Sequence, residues 1–130
     1  MRNASAMTQP LALLWYGKLL LGSRLTDKLE GLGYRVQTLA SPDTLVEDAE
    51  REKPLVVILG ADSQPERMAT VISSLRQCPA TAHLPVIAIV SAHNSALQQA
   101  MLTAGAKLAV PDTVVLEYLE HFLQQALDLG

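Results

Sequence analysis

A chain of 130 residues is long enough for one domain with a true core and too short for two of ordinary size. Hydrophobic residues make up 49% of it and charged residues 18%, which argues against disorder, and a net charge of −3 removes any electrostatic case for a nucleic-acid partner, whose phosphates would be repelled. A single cysteine, Cys78, excludes an internal disulfide and a Cys-rich zinc site and fits a reducing cytosol, so a cytoplasmic location is expected.

The first ten residues, MRNASAMTQP, are polar and lack the apolar heart of a signal peptide. With a second Met at position 7 they read as a flexible tail, one consistent with an added leader, and leave residues 11–130 as the expected domain. LALLWY (11–16) is an apolar run of strand length, and residues 18–33 then place Leu21, Leu25 and Leu29 at four-residue spacing, the mark of an amphipathic helix. Gly31 and Gly33 are expected to stop that helix. YRVQTLA (34–40) alternates like a short strand, and Ser41-Pro42-Asp43 carries cap, first-turn proline and N-terminal acid for a second helix reaching about Arg51.

The pattern then repeats. LVVILG (55–60) is a strand and residues 65–77 a helix with Met68, Val71, Ile72 and Leu75 on one face. LPVIAIVS (84–91) is a second all-apolar strand, SALQQAMLTAG (95–105) a helix ended by glycine, and KLAV (107–110) a short strand that Pro111 is expected to cut off. Residues 112–129 read as one last helix with Leu116, Leu119, Leu123 and Leu127 in a stripe. The apolar runs at 55–59 and 84–90 fall far short of the ~20 residues of a membrane-spanning helix, so no membrane partner is expected.

Five strand-then-helix units joined by short connections require a parallel sheet with right-handed crossovers and helices on both faces. Strands three and four, apolar throughout, belong in its middle. In such a sheet ligands bind outside the carboxyl ends of the strands, so the residues that matter are Trp15 to Lys18, Gly60 to Asp62, Ser91 to His93, and Val110 to Asp112.

The order of these elements, together with KPLVVILG (53–60), LPVIAIVSA (84–92), AGAKLAVP (104–111) and LEGLGYRV (29–36), resembles the receiver domain of bacterial response regulators, of the chemotaxis-receiver type, over residues 11–128. The resemblance implies a flavodoxin-like three-layer α/β sandwich with strand order 2-1-3-4-5 and five helices, and a place in two-component signalling or a phosphorelay. Receivers carry two acids after strand one, a phosphorylatable Asp ending strand three, a Thr or Ser ending strand four and a Lys ending strand five. That set is what aspartyl-phosphate chemistry needs: a carboxylate nucleophile, carboxylate oxygens for Mg²⁺, and a cationic contact for the phosphoryl charge. The matching positions here hold Trp15 and Tyr16, Gly60, Ser91, and Val110 or Pro111. Only Ser91 is a functional match, and losses on three strands are not repaired by any one shift of alignment. The chain therefore looks like a degenerate receiver with no catalytic residue, no cofactor and no bound Mg²⁺.

Competing readings of the same residues are weaker. Asp62 is a candidate displaced phosphoacceptor, though without a carboxylate pair little would hold Mg²⁺, and a solvated or turn-capping Asp is preferred. Ser91, His93 and Asp62 or Asp112 invite a hydrolase triad, but no nucleophile elbow is present. His83 and His121 lack metal-ligand spacing, and no dinucleotide or P-loop glycine pattern follows a strand. Of Trp15 and Tyr16, one is expected to pack into volume left by the acidic pocket and the other to be exposed as a contact residue.

What remains is recognition. By resemblance the signalling face spans residues 95–128, with Gln98, Met101, Leu102, Lys107 and Tyr118 as candidate contacts; the charge depletion of 94–111 is what interface cores show. A non-enzymatic module that binds a protein partner, or itself as a homodimer, is the expected function. A small-molecule sensor using the rim at Trp15 and Tyr16 is the alternative.

Overall fold

The computed structural model describes residues 9–62 and 64–127. The tail expected over residues 1–10 therefore lies almost wholly outside the described residues, as do positions 128 and 129 of the last expected helix. The elements run β1 (Leu11–Trp15), α1 (Leu19–Gly31), β2 (Arg35–Thr38), a 3₁₀ turn (Pro42–Thr44), α2 (Leu45–Glu52), β3 (Val56–Gly60), α3 (Pro65–Gln77), β4 (Val86–Val90), α4 (Ser95–Ala104), β5 (Leu108–Pro111) and α5 (Leu119–Leu127). All strand pairs are parallel, in the order β2-β1-β3-β4-β5.

Because successive side chains on a strand face opposite ways, the sheet splits its apolar residues into two cores. Leu11, Leu13 and Trp15 of β1 join Val57 and Leu59 of β3 under α2, α3 and α4, through side chains such as Leu45, Ile72 and Met101. Ala12 and Leu14 join Val56, Ile58, Ile87 and Ile89 under α1 and α5, where Leu25, Leu29, Leu119 and Leu123 close the layer. Strands β1, β3 and β4 are buried at every position, which is why they read as unbroken apolar runs. Leu25 and Leu29 are fully buried; each such leucine is worth about 1.5–3 kcal/mol of transfer free energy.

Three details of the sequence reading change. Gly31 stays inside α1, and the helix is ended by Gly33 at φ +96. The Gly33 amide donates to the Glu30 carbonyl and the Tyr34 amide to the Leu29 carbonyl, both at 3.0 Å, the paired bonds of a Schellman stop. Pro111 does not cut β5 short but is its last residue, opposite Val90. β5 is an edge strand, so a residue without an N–H is tolerated there; the next amide, Asp112, makes the bond to the Val90 carbonyl at 2.8 Å. The last helix begins at Leu119, and residues 112–118 form turns instead. Thr113, Val114 and Val115 are β-branched and poor helix formers, and Val115 is drawn into the core.

The Ser41 signal holds in a modified form. Its hydroxyl accepts from the Asp43 amide at 3.2 Å, but the turn it caps is 3₁₀ and α2 proper follows. Arg67 then fastens this turn to α3, donating to Asp43 Oδ1 at 2.9 Å and to Ser41 Oγ at 3.2 Å.

Candidate functional site

The carboxyl ends of β1, β3, β4 and β5 meet along one rim. Trp15 ends β1 and is buried in the core beneath α2, α3 and α4. Tyr16 follows it and turns back across the end of β3. A Cβ placed on Gly60 would stand 1.9 Å from Tyr16 Cδ1 and 2.3 Å from Cε1. The ring thus fills the volume into which a side chain at position 60 would project. This corrects the expectation for the pair: Trp15 is packed, and Tyr16 is half-buried instead of exposed.

The Tyr16 hydroxyl is buried without a hydrogen-bond partner in the protein. Burial pushes its pKa up to about 12, with the nearby carboxylates of Asp112 and Asp62 adding to the shift, because each disfavours a phenolate. The ring therefore reaches from β1 toward the loops that follow β3 and β5, and its hydroxyl stays protonated at neutral pH.

Of the two readings for Asp62, solvated or turn-capping, the structure favours the second. The residue is half-buried, and its Oδ1 accepts a hydrogen bond from the Ser91 amide at 2.9 Å, while Oδ2 is buried without a partner. The parallel register explains the meeting, since Gly60 lies opposite Ile89 and two residues further on Asp62 comes to face Ser91. Beyond Ser91 the chain passes through His93 at φ 71, an exposed residue in a conformation that costs a non-glycine about 1–2 kcal/mol. Asn94 then caps α4 by accepting from the Leu97 amide at 3.0 Å.

At the far side of the rim, Val110 is buried under α1 and α5, so Pro111 is the rim residue of β5. Two cavities open nearby. One of about 170 Å³ is lined by Leu14, Tyr16, Gly22, Ser23, Thr26 and Thr38. A smaller one of about 20 Å³ is lined by Tyr16, Gly17, Lys18, Gly60 and Asp62.

A magnesium ion takes near-octahedral oxygen ligation, anchored by carboxylates. Trp15, Tyr16 and Gly60 supply none, and Asp62 already commits one oxygen to Ser91. Among the described residues no group of three or more His, Cys, Asp or Glu is placed to hold a metal ion.

The face expected to meet a partner is only partly available. Tyr118 is 49% exposed and Leu102 38%, and Lys107 is exposed. Gln98 is half-buried, its side-chain amide donating to the Ala109 carbonyl at 2.9 Å. Met101 is fully buried, which overturns its assignment to a contact surface: Leu97 and Met101, four apart, are the core-facing stripe of α4. Tyr118 packs edge-on against Phe122, ring centroids 6.5 Å apart. No helix among the described residues is long and apolar enough to cross a membrane.

Comparison with known structures fixes what this architecture is. The chain superposes on the receiver domain of a sensor histidine kinase from Pseudomonas aeruginosa, whose structure holds a magnesium ion in the active-site cleft, with a TM-score of 0.81 at 19% identity, covering 93% of this chain and 99% of that one. It has the receiver fold. A response regulator from Thermotoga maritima gives a TM-score of 0.77 at 17% identity, over 92% of this chain and 98% of that one. A response regulator from Desulfuromonas acetoxidans gives 0.75 at 20% identity, over 92% and 97%. No protein-family model and no curated protein sequence matches. The five-stranded order and the five helices of this fold are those expected from the sequence.

Proposed function

We propose that the domain, residues 11–130, is a pseudo-receiver: a signalling or regulatory module on a receiver fold that works by binding a protein partner and does not depend on phosphorylation. The observation that carries this reading is the Tyr16 ring across Gly60. A phosphoryl transfer needs a nucleophile and charge-stabilising groups at one point in space. Here that point is occupied by an aromatic ring, and none of Trp15, Tyr16 and Gly60 supplies a carboxylate. Recognition then falls to the surface of α4, β5 and α5, where Leu102, Lys107 and Tyr118 remain exposed.

The test is an amide NMR spectrum of the chain with Mg²⁺ and beryllofluoride, a phosphoryl mimic. The spectrum is expected to be unchanged. Saturable shifts centred on Asp62 and Ser91 would overturn the reading and restore Asp62 as a displaced acceptor. A second reading, a small-molecule sensor, draws on the 170 Å³ cavity beside Tyr16, with the Ser23, Thr26 and Thr38 side chains on an apolar floor of Leu14 and Tyr16. It predicts saturable amide shifts at Ser23, Thr26 and Thr38 with a small uncharged ligand.

A further inference from the structure

Two polar atoms at the rim are buried without a partner in the protein: the Tyr16 hydroxyl and Asp62 Oδ2. Their residues line the same cavity of about 20 Å³. A buried carboxylate oxygen left unpaired carries a desolvation penalty, and roughly 10–15 Å³ suffices for one water where two or more polar groups meet it. The carboxylate oxygen only accepts, whereas the hydroxyl both donates and accepts. A single water between them would satisfy both atoms, giving one hydrogen to Oδ2 and accepting the hydroxyl's hydrogen at one lone pair.

We infer that this cavity is a one-water binding site, and that the chain Tyr16 hydroxyl, water, Asp62, Ser91 amide fixes the conformation of the β4–α4 loop. Asp62 is the positioning residue, with one oxygen on the water and the other on Ser91. The loop is short and strained, passing through His93 at φ 71. Its geometry is passed on directly: the Asn94 amide donates to the Ser91 carbonyl at 3.2 Å, and the Asn94 side chain caps α4 at Leu97. A displacement of Ser91 therefore reaches the first turn of α4. If α4 belongs to the partner-binding surface proposed above, the water site controls the start of that surface; the water and the latch do not need that reading.

The experiment combines a high-resolution crystal structure of the full chain with hydrogen exchange at the Ser91 and Leu97 amides, in the absence of Mg²⁺ and of any partner. Density for a water within hydrogen-bond distance of both Tyr16 Oη and Asp62 Oδ2 is expected. Asp62→Ala is expected to lower protection at Ser91 at least tenfold and to lower it at Leu97, while Asp62→Asn, which keeps an oxygen acceptor, restores protection at Ser91. Tyr16→Phe should lose the water and lower Ser91 protection about threefold. A direct Tyr16–Asp62 hydrogen bond with no water, or Ser91 protection untouched by Asp62→Ala, would overturn the inference. Should the alanine variant fail to fold, the wild-type density and the comparison of Asp62→Asn with Tyr16→Phe still decide it. None of these readouts depends on beryllofluoride, so they fail separately from the proposed function.

Discussion

The ring of Tyr16 and the missing side chain of Gly60 are complementary: the ring's Cδ1 lies 1.9 Å from where a Cβ on residue 60 would be. Gly60→Ala is therefore expected to destabilise the domain by about 1–3 kcal/mol, the range for overpacking, although the strand conformation suits alanine. In a Tyr16→Ala background, itself costly, the same replacement should be nearly neutral. Urea denaturation of the four proteins gives the coupling, expected at about 1–3 kcal/mol. Additive effects would show that the ring and the glycine do not compete for one space.

The hydroxyl of Tyr16 gives a pH signature. Its pKa is pushed up to about 12 in the folded chain by burial, then by Asp112 and Asp62, against about 10 when unfolded. Between pH 10 and 12 the folded state holds the proton more tightly. Stability from this group is thus fully present below pH 10 and is lost as pH rises through 12. Tyr34 is also raised, by burial. Ultraviolet titration should show late-ionising tyrosines, and Tyr16→Phe should flatten the fall in stability over that window compared with wild type.

Gly105 and Arg76 make a second tight contact, away from the rim. Gly105 sits at φ +124, and a Cβ there would meet Arg76 Cγ at 2.7 Å. The Arg76 guanidinium bridges two loops, donating to the Gly105 carbonyl at 2.9 Å and to the Ala82 carbonyl at 3.1 Å. Gly105→Ala is expected to cost more than about 1 kcal/mol. Adding Arg76→Ala should remove the collision but not the backbone strain, so the glycine's cost should fall without vanishing, as read from thermal unfolding.

The partner surface makes its own prediction. Leu102→Glu with Tyr118→Ser changes two exposed residues and should shift stability by no more than about 0.5 kcal/mol per site. Measured by light scattering and by capture of the partner from the native host, the double variant should lose association at least tenfold. Unaltered association would place the contact elsewhere.

Much of this was legible because β3 and β4 are apolar at every position and the helices between them carry clear periodicity. Their central place follows from burial on both faces. The start of α5 was not legible: Asp112 imitates a helix start, but the β-branched run behind it and the pull of Val115 into the core break the helix until Leu119. Met101 was misread because the composition of α4 was weighed before its period, although Leu97 and Met101 already mark the buried side. That Trp15, Tyr16 and Gly60 carry no carboxylate could be seen residue by residue. That Tyr16 fills the space over Gly60, and that Asp62 grips Ser91, depends on contacts between strands distant in sequence, for which the parallel register was the missing information.

The interlock of Tyr16 with Gly60 acts as a ratchet. A carboxylate introduced at position 60 by a single exchange would collide with the phenol, and shrinking the phenol first would open a hole in the rim. Either single step is penalised, so placing a side chain at position 60 requires coordinated change at the ends of two strands.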